Sequence, residues 1–369
     1  MGIIKLKTIL EIVLVVGVVC SCNQGKPTNK LYAYNSTSAE WFVRIGAKIK
    51  KGDTIGEEEW DGLFQSKGYQ TYLSYSDSSY KKEQVMRCMD LVFNPKNKSQ
   101  LDSLLQLPIP LNSNMMEFLV FNNFNAINEN MDLAKSFLRD TDFQSIFKGA
   151  DSIAQTFIPA NNGGRDKLFE VSILCADPDG KVIGNAIVLD LNTIMHLEYQ
   201  EIMQLIAHEY HHNYRNLKTP SIKDPVFQQI NKLHQEGLAD LIDKPLPPIT
   251  ANGLYPEAVI DLYNATFFST GEKLKALDSL SVASKQLDFK QSEEQFNGFL
   301  KFGGHPNGLY MALLIQQVYG LDTLVQTYND PIGFIELYQS SAIQNKKQYV
   351  FSDAFMNQME ELKSKTPSN

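Results

Sequence analysis

The sequence predicts an α+β protein, mainly helical, with a small antiparallel sheet packed on one of its helices. Three observations predict it. Apolar residues recur at helical spacing through much of the chain, two runs rich in β-branched residues stand together near the middle, and the intervening loops carry Gly, Pro, Asn and Asp. A hydrophobic share of 43% in 369 residues is ample for a packed core. The length permits two domains.

At the start, Lys5 and Lys7 precede an apolar run from Ile12 to Val19, followed by Val19-Cys20-Ser21-Cys22. The run is too short to span a bilayer. The pattern looks like a bacterial lipoprotein signal, so residues 1-21 are expected to be cleaved and lipid on Cys22 to hold the chain to a membrane of the bacterial envelope, at the outer membrane or cell surface. Residues 22-30 are polar, with Gly25 and Pro27, as a tether requires. Loss of Lys5, Lys7 and Glu11 moves the formal charge from -8 to -9, because two positive charges and one negative leave. An acidic chain argues against nucleic acid as a partner. Cys88 and Cys175 then remain as thiols, too few for a disulfide framework.

Residues 31-165 read as a helical N-terminal region. Thr54-Ile55-Gly56-Glu57 resembles a capping box, Trp60, Leu63 and Phe64 give the following helix an apolar face, and Gly68 is expected to end it. Periodic apolar positions from Met115 to Phe157 predict further helices. The loop Pro159-Ala160-Asn161-Asn162-Gly163-Gly164-Arg165-Asp166 marks a seam, after which residues 166-369 form the second region. Phe169 to Leu174 and Val182 to Leu191 are the β-rich runs, and Asp177-Pro178-Asp179-Gly180 between them has turn chemistry. They are expected to pair as a hairpin. The chain shows no internal repeat, phosphate-cradling glycine loop or nucleophile elbow.

The stretch from Glu198 to Ala207 has no Gly or Pro, carries Ile202, Leu205 and Ile206 at helical spacing, and leads into His208-Glu209-Tyr210-His211-His212. This is H-E-x-x-H. On a helix His208 and His212 stack on one face and can share a metal ion, while Glu209 projects beside them, placed to take a proton from water without becoming a ligand. His211, at i+3 from His208, is the competing second ligand, though the i, i+4 pair leaves Glu209 better placed. A tetrahedral catalytic site needs a third protein ligand. Beyond a loop with Pro220 and Pro225, apolar residues at 227, 230, 233, 238 and 241 predict an amphipathic helix on which Glu236 and Asp240 share a face. His234 competes as third ligand but points about 160° from Glu236 around that helix. Further on, Gly303-Gly304-His305-Pro306-Asn307-Gly308 opens another helix, which also carries Tyr310.

H-E-x-x-H followed by E-x-x-x-D resembles the glutamate-type zinc peptidases of the thermolysin-like clan. The resemblance implies Zn2+ held by His208, His212 and Glu236, with Asp240 fixing the tautomer of a ligand histidine. It implies Glu209 as general base and His305 or Tyr310 as stabiliser of the oxyanion. Asn185-Ala186 looks like the Asn-Ala of the clan's edge strand, on which an extended peptide substrate would lie by β-augmentation. The part of the chain from the β-rich runs onward is also similar to a family of bacterial lipoproteins described as zinc-dependent peptidases, through the Gly-His-Pro stretch and Tyr328-Asn329-Asp330-Pro331. The G-x-M-x-N element of the clan's aminopeptidases is missing, which favours an endopeptidase. The alternative is a non-catalytic surface lipoprotein that binds metal, peptide or glycan. Glu209 is not needed for binding metal, and its presence favours chemistry.

Overall fold

The computed structural model describes residues 32–74, 78–107, 115–160, 169–176, 178–216, 222–250 and 255–365. The expected signal segment, Cys22 and the tether lie outside these residues, as does Asp177. In the first half the apolar periodicity becomes α1 (Thr37–Lys51), α2 (Glu57–Phe64), α3 (Lys67–Leu73), α4 (Ser78–Phe93), α5 (Lys98–Leu105), α6 (Met115–Glu129), α7 (Met131–Asp140) and α8 (Phe143–Thr156). Leu63 and Phe64 are buried as expected, but α2 starts at Glu57, three residues after Thr54. Gly56 is its N-cap, and Glu59 accepts from the Gly56 N–H at 3.3 Å. Gly68 does not end it either: Gln65 does, and Gly68 lies inside α3.

The sheet corrects the expected hairpin. Its strands are β1 (Tyr34–Asn35), β2 (Glu170–Leu174), β3 (Gly180–Ile183) and β4 (Ala186–Asp190), in the order β1-β2-β4-β3. β1 and β2 pair in parallel, as do β2 and β4, and only β3 and β4 are antiparallel, so the sheet is mixed. The run read as one strand from Val182 to Leu191 breaks at Gly184-Asn185, where Gly184 takes φ +62°. Gly-Asn between β-branched residues is itself a hairpin turn. Consequently Asn185 sits in that turn and Ala186 opens β4, an interior strand paired on both sides. The pair cannot form the edge assigned to it. That edge is β3.

After β4 come α9 (Leu191–Met195), α10 (Tyr199–Asn216), α11 (Pro225–Asp243), α12 (Glu257–Phe268), α13 (Thr270–Ser284), α14 (Phe289–Phe296), α15 (His305–Tyr319), α16 (Leu321–Val325), α17 (Pro331–Gln344) and α18 (Asp353–Lys365). Two apolar cores organise the described residues. One joins α1 to α8, the sheet and the buried face of α10, including Phe42, Phe124, Phe147, Ile173, Ile202 and Ile206. The other joins α11, α13, α15, α17 and α18 around Ile230, Leu233, Met311, Phe334 and Phe355. Of the expected seam, 159–166, all but Pro159 and Ala160 lies outside the described residues, and the first core includes both Ile158 before it and Val171 after it. Cys88 and Cys175 are buried free thiols.

Within the second core α11 and α15 approach through two glycines. A Cβ on Gly237 would stand 2.5 Å from the Gly308 carbonyl oxygen, and one on Gly308 would collide with the Leu233 carbonyl. The contact is backbone on backbone, and it draws the start of α15, with His305, against the middle of α11. Gly308→Ala should therefore cost about 1–3 kcal/mol by overpacking. A urea midpoint equal to that of the parent would show that the two helices have room between them.

Asp190 closes β4 and caps α9, accepting from the N–H groups of Thr193 at 2.9 Å and Ala176 at 3.1 Å and from Asn123 Nδ2 at 2.7 Å. Burial pushes its pKa up to about 7 despite these donors. Between the ordinary value of 3.8 and 7 the folded chain holds a proton that the unfolded chain has released, so the group's contribution to stability falls as pH rises through this window. The stability of the parent relative to Asp190→Asn should accordingly decline from pH 5 to about 7 and level off above it. Urea unfolding of both chains across that range, with a constant difference between them, would contradict the shift.

Candidate metal centre

α10 runs without Gly or Pro, and burial of Ile202 and Ile206 in the first core fixes its rotation. His208 and His212, one turn apart, then face α11. That helix begins at a strong cap, Asp224 accepting from the Phe227 N–H at 2.9 Å with Pro225 in the first turn. Its apolar side, Ile230, Leu233 and Leu238, enters the second core. Glu236, Asp240 and Asp243, at i, i+4 and i+7, are therefore presented together toward α10.

His208, His212 and Glu236 each offer an atom within 4.8 Å of the other two. The two Nε2 atoms are 2.9 Å apart, and Glu236 Oε2 lies 3.2 Å from that of His212 and 3.8 Å from that of His208. The competing ligands are elsewhere. His211 is buried with its ring against Tyr328, and His234 accepts from Arg215 at 2.9 Å and contacts the Thr327 hydroxyl at 3.2 Å.

The carboxylates around this set divide their work differently from the expectation. Asp243 Oδ1, not Asp240, accepts from His208 Nδ1 at 2.8 Å, and Lys244 Nζ donates to Asp243 Oδ2 at 2.7 Å. Asp240 Oδ1 accepts from His305 Nδ1 at 2.8 Å and is 3.8 Å from His208 Nδ1. His305 is drawn to the centre: its ring stacks on His208 with centroids 5.7 Å apart, and its Nε2 is 3.3 Å from Glu236 Oε2. Gly303 and Gly304, at φ +65° and +106°, make the turn that aims it there.

Tyr310 is not brought to the centre. It lies about 140° around α15 from His305. Its hydroxyl is bonded to Gln348, and its ring packs on Phe267. A different tyrosine stands close. The Tyr263 hydroxyl on α12 is buried without a partner among the described residues, and it lies in the field of Asp240, Lys244, Asp243 and Glu236. Burial, reinforced by the acids, holds this phenol well above its ordinary range and so in the proton-bearing form.

Glu209 is buried beside the ligand set without belonging to it. Its side chain lies against the start of β3, so that a Cβ on Gly180 would be 3.2 Å from Glu209 Oε1. The edge strand and this carboxylate are thus adjacent.

The electrostatics follow from burying acids among imidazoles. Burial works against the charge of His208, but Asp243 overrides it and pushes the ring up to about 9. Against the same opposition Asp240 and Glu236 push His305 up to about 10. Burial opposes the charge of Glu236 as well, yet His305, His212 and His208 hold its carboxyl well below the usual range. A site that favours positive charge so strongly also favours a divalent cation. Glu236 Oε2 supplies the decisive detail, because it is a buried carboxylate oxygen without a well-formed hydrogen bond among the described residues, and it lies 3.2, 3.8 and 3.3 Å from the Nε2 atoms of His212, His208 and His305. Two nitrogens and one oxygen fit zinc with a position left open.

A family model described as "Putative zinc dependent peptidase (DUF5700)" matches residues 60–347. The chain belongs to this family. It matches no curated protein and no solved structure. The matched span of the family includes α10, α11, Tyr263 and His305, and zinc, the metal in the family's description, is the metal that the donor set fits. Sequence reasoning missed Asp243, Lys244 and Tyr263. Asp243 carried a signal, since it is the third acid on the stripe begun by Glu236. Tyr263 carried none, because only the packing of α12 brings it near.

Proposed function

We propose that this member of the family is a glutamate-type zinc peptidase related in mechanism to the thermolysin-like clan. The observation that carries the reading is the convergence of His208, His212 and Glu236 from two helices, with Glu209 alongside and outside the ligand set. Zinc held by these three would acidify a water and polarise a peptide carbonyl. Glu209 then takes the proton of the attacking water and passes it to the leaving amine. His305, oriented by Asp240, donates from Nε2 to the developing oxyanion, and the Tyr263 hydroxyl is a second donor on that side. A peptide substrate would add to the free edge of β3 as an extended strand, which lays its backbone beside Glu209. The rival reading, a non-catalytic protein that binds metal, peptide or glycan, leaves the burial of Glu209 against β3 without a purpose.

The envelope reading is part of the same proposal. Lipid on Cys22, with residues 22-30 as tether, would hold the peptidase at a bacterial membrane, where it meets peptide or protein substrates and no nucleic acid. Cys22→Ser should move the chain from the membrane fraction to the soluble fraction. Persistence in the membrane fraction would overturn the anchor and leave the chemistry untouched.

The chemistry is tested by two variants that should differ. Glu209→Gln is expected to keep one zinc per chain and lose peptide hydrolysis by roughly 100- to 10,000-fold, the range typical of a general base. Glu236→Ala is expected to lose zinc itself, by more than the roughly 10- to 100-fold typical of an outer carboxylate. Cleavage of a peptide library, read by mass spectrometry with and without chelator, checks both. Undiminished cleavage by Glu209→Gln would remove Glu209 from the mechanism.

A further inference from the structure

The imidazole of His208 has one Nδ1–H to give, and two carboxylates stand near it. Asp243 Oδ1 is at 2.8 Å and Asp240 Oδ1 at 3.8 Å. The same oxygen of Asp240 accepts from His305 Nδ1 at 2.8 Å, while its other oxygen, Oδ2, is buried with no hydrogen-bond partner among the described residues. Asp240 thus has acceptor capacity to spare. His208 is free to turn its N–H to it unless that N–H is committed elsewhere.

Lys244 supplies the commitment. It follows the last residue of α11, and its Nζ lies 2.7 Å from Asp243 Oδ2. Both oxygens of Asp243 are then occupied, one by His208 and one by Lys244, which fixes the plane of the carboxylate as well as its charge. The side chain of Asp243 is only 6% exposed and that of Lys244 27%. This is not the solvated surface pair whose contribution is small.

We propose that Lys244 is a positioning residue for the metal centre, which through Asp243 commits the Nδ1–H of His208 and so leaves Asp240 to His305. The proposal rests on the reading of His208 as a zinc ligand. With Lys244 in place, the Nε2 of His208 points to His212 and Glu236, and the Nε2 of His305, 3.3 Å from Glu236 Oε2, is held beside the same centre. Without it, Asp243 can rotate, His208 can turn its N–H to Asp240, and both imidazoles move at once. One exchangeable contact outside the ligand set therefore couples metal affinity to the orientation of the group opposite the metal.

The test uses the full chain, with Lys244→Met to remove the charge at similar length and Lys244→Arg to restore it. Zinc affinity is measured by competition with a chromogenic chelator, and the ligand field is read from the visible absorption of the cobalt-substituted protein. Lys244→Met should weaken zinc by about 10- to 100-fold, as loss of an outer partner does, and should change the cobalt spectrum, while Lys244→Arg should recover both. Asp243→Asn should show a similar loss, and adding Lys244→Met to it should cost little more, because the two act as one unit. Parental zinc affinity and an unchanged cobalt spectrum in Lys244→Met would overturn the proposal, as would fully additive losses. If Lys244→Met does not fold, Lys244→Gln takes its place with the same expected outcomes. A parent chain that takes up no zinc would instead overturn the peptidase reading, so the two failures are distinguishable.

Discussion

Three carboxylates on one face of α11 have been taken out of water, and the site is built around that fact. A buried carboxylate is expensive unless charge or hydrogen bonds meet it where it lies. Glu236, Asp240 and Asp243 are met from outside their own stripe, by His208 and His212 of α10, by His305 of α15 and by Lys244 beyond the end of the helix. The partners are not interchangeable. His208 and His305 each give one ring nitrogen to an aspartate, which leaves the other nitrogen of each turned inward toward Glu236. A dication is the natural last member of such a set, because it would satisfy the Nε2 atoms of His208 and His212 and the Oε2 of Glu236 together.

Apolar packing decides where this polar cluster can exist. The buried side of α10 belongs to the first core and that of α11 to the second, so the remaining sides of the two helices are pressed together without either being free to fill with aliphatic groups. The seam between the cores is thereby the one direction in which His208, His212 and Glu236 can point. The paired glycines Gly237 and Gly308 have the complementary task. By letting α15 touch α11 at the backbone, they bring His305 within hydrogen-bonding distance of Asp240. A bulkier contact would leave Asp240 facing a gap.

The parts of this arrangement that were legible in the sequence are those written within a few turns of one helix. H-E-x-x-H pointed to the face of α10 that carries His208 and His212, and the amphipathic pattern from Phe227 to Leu241 pointed to α11 together with the side on which Glu236 lies. The same logic extended by one turn reaches Asp243, yet a four-residue motif draws attention to Asp240 and stops there. Helix phase could also have separated His305 from Tyr310, since five residues place them on different faces. Other features are not local. The parallel pairing of β2 with β4 depends on a crossover that no short window contains, although the Gly184-Asn185 turn that splits the β-rich run was visible. Tyr263 reaches the acids only because α12 packs on α15, and nothing in its own neighbourhood marks it.

The mixed topology has a consequence for how a substrate could approach. In the expected antiparallel hairpin, the strand carrying Asn185 and Ala186 would have been the edge. In the observed order β4 is paired with β2 on one side and β3 on the other, so its backbone groups are consumed. β3 has a strand neighbour on one side only in the described sheet, and it begins at Gly180, whose N–H donates to Asp179 Oδ1 at 2.9 Å. Gly180 is also where the Glu209 side chain lies, close enough that even a methyl group would crowd its carboxylate. A chain added to β3 is therefore held by its backbone at the strand whose first residue touches the proposed base. The glycine is what allows the strand and the carboxylate to share that space.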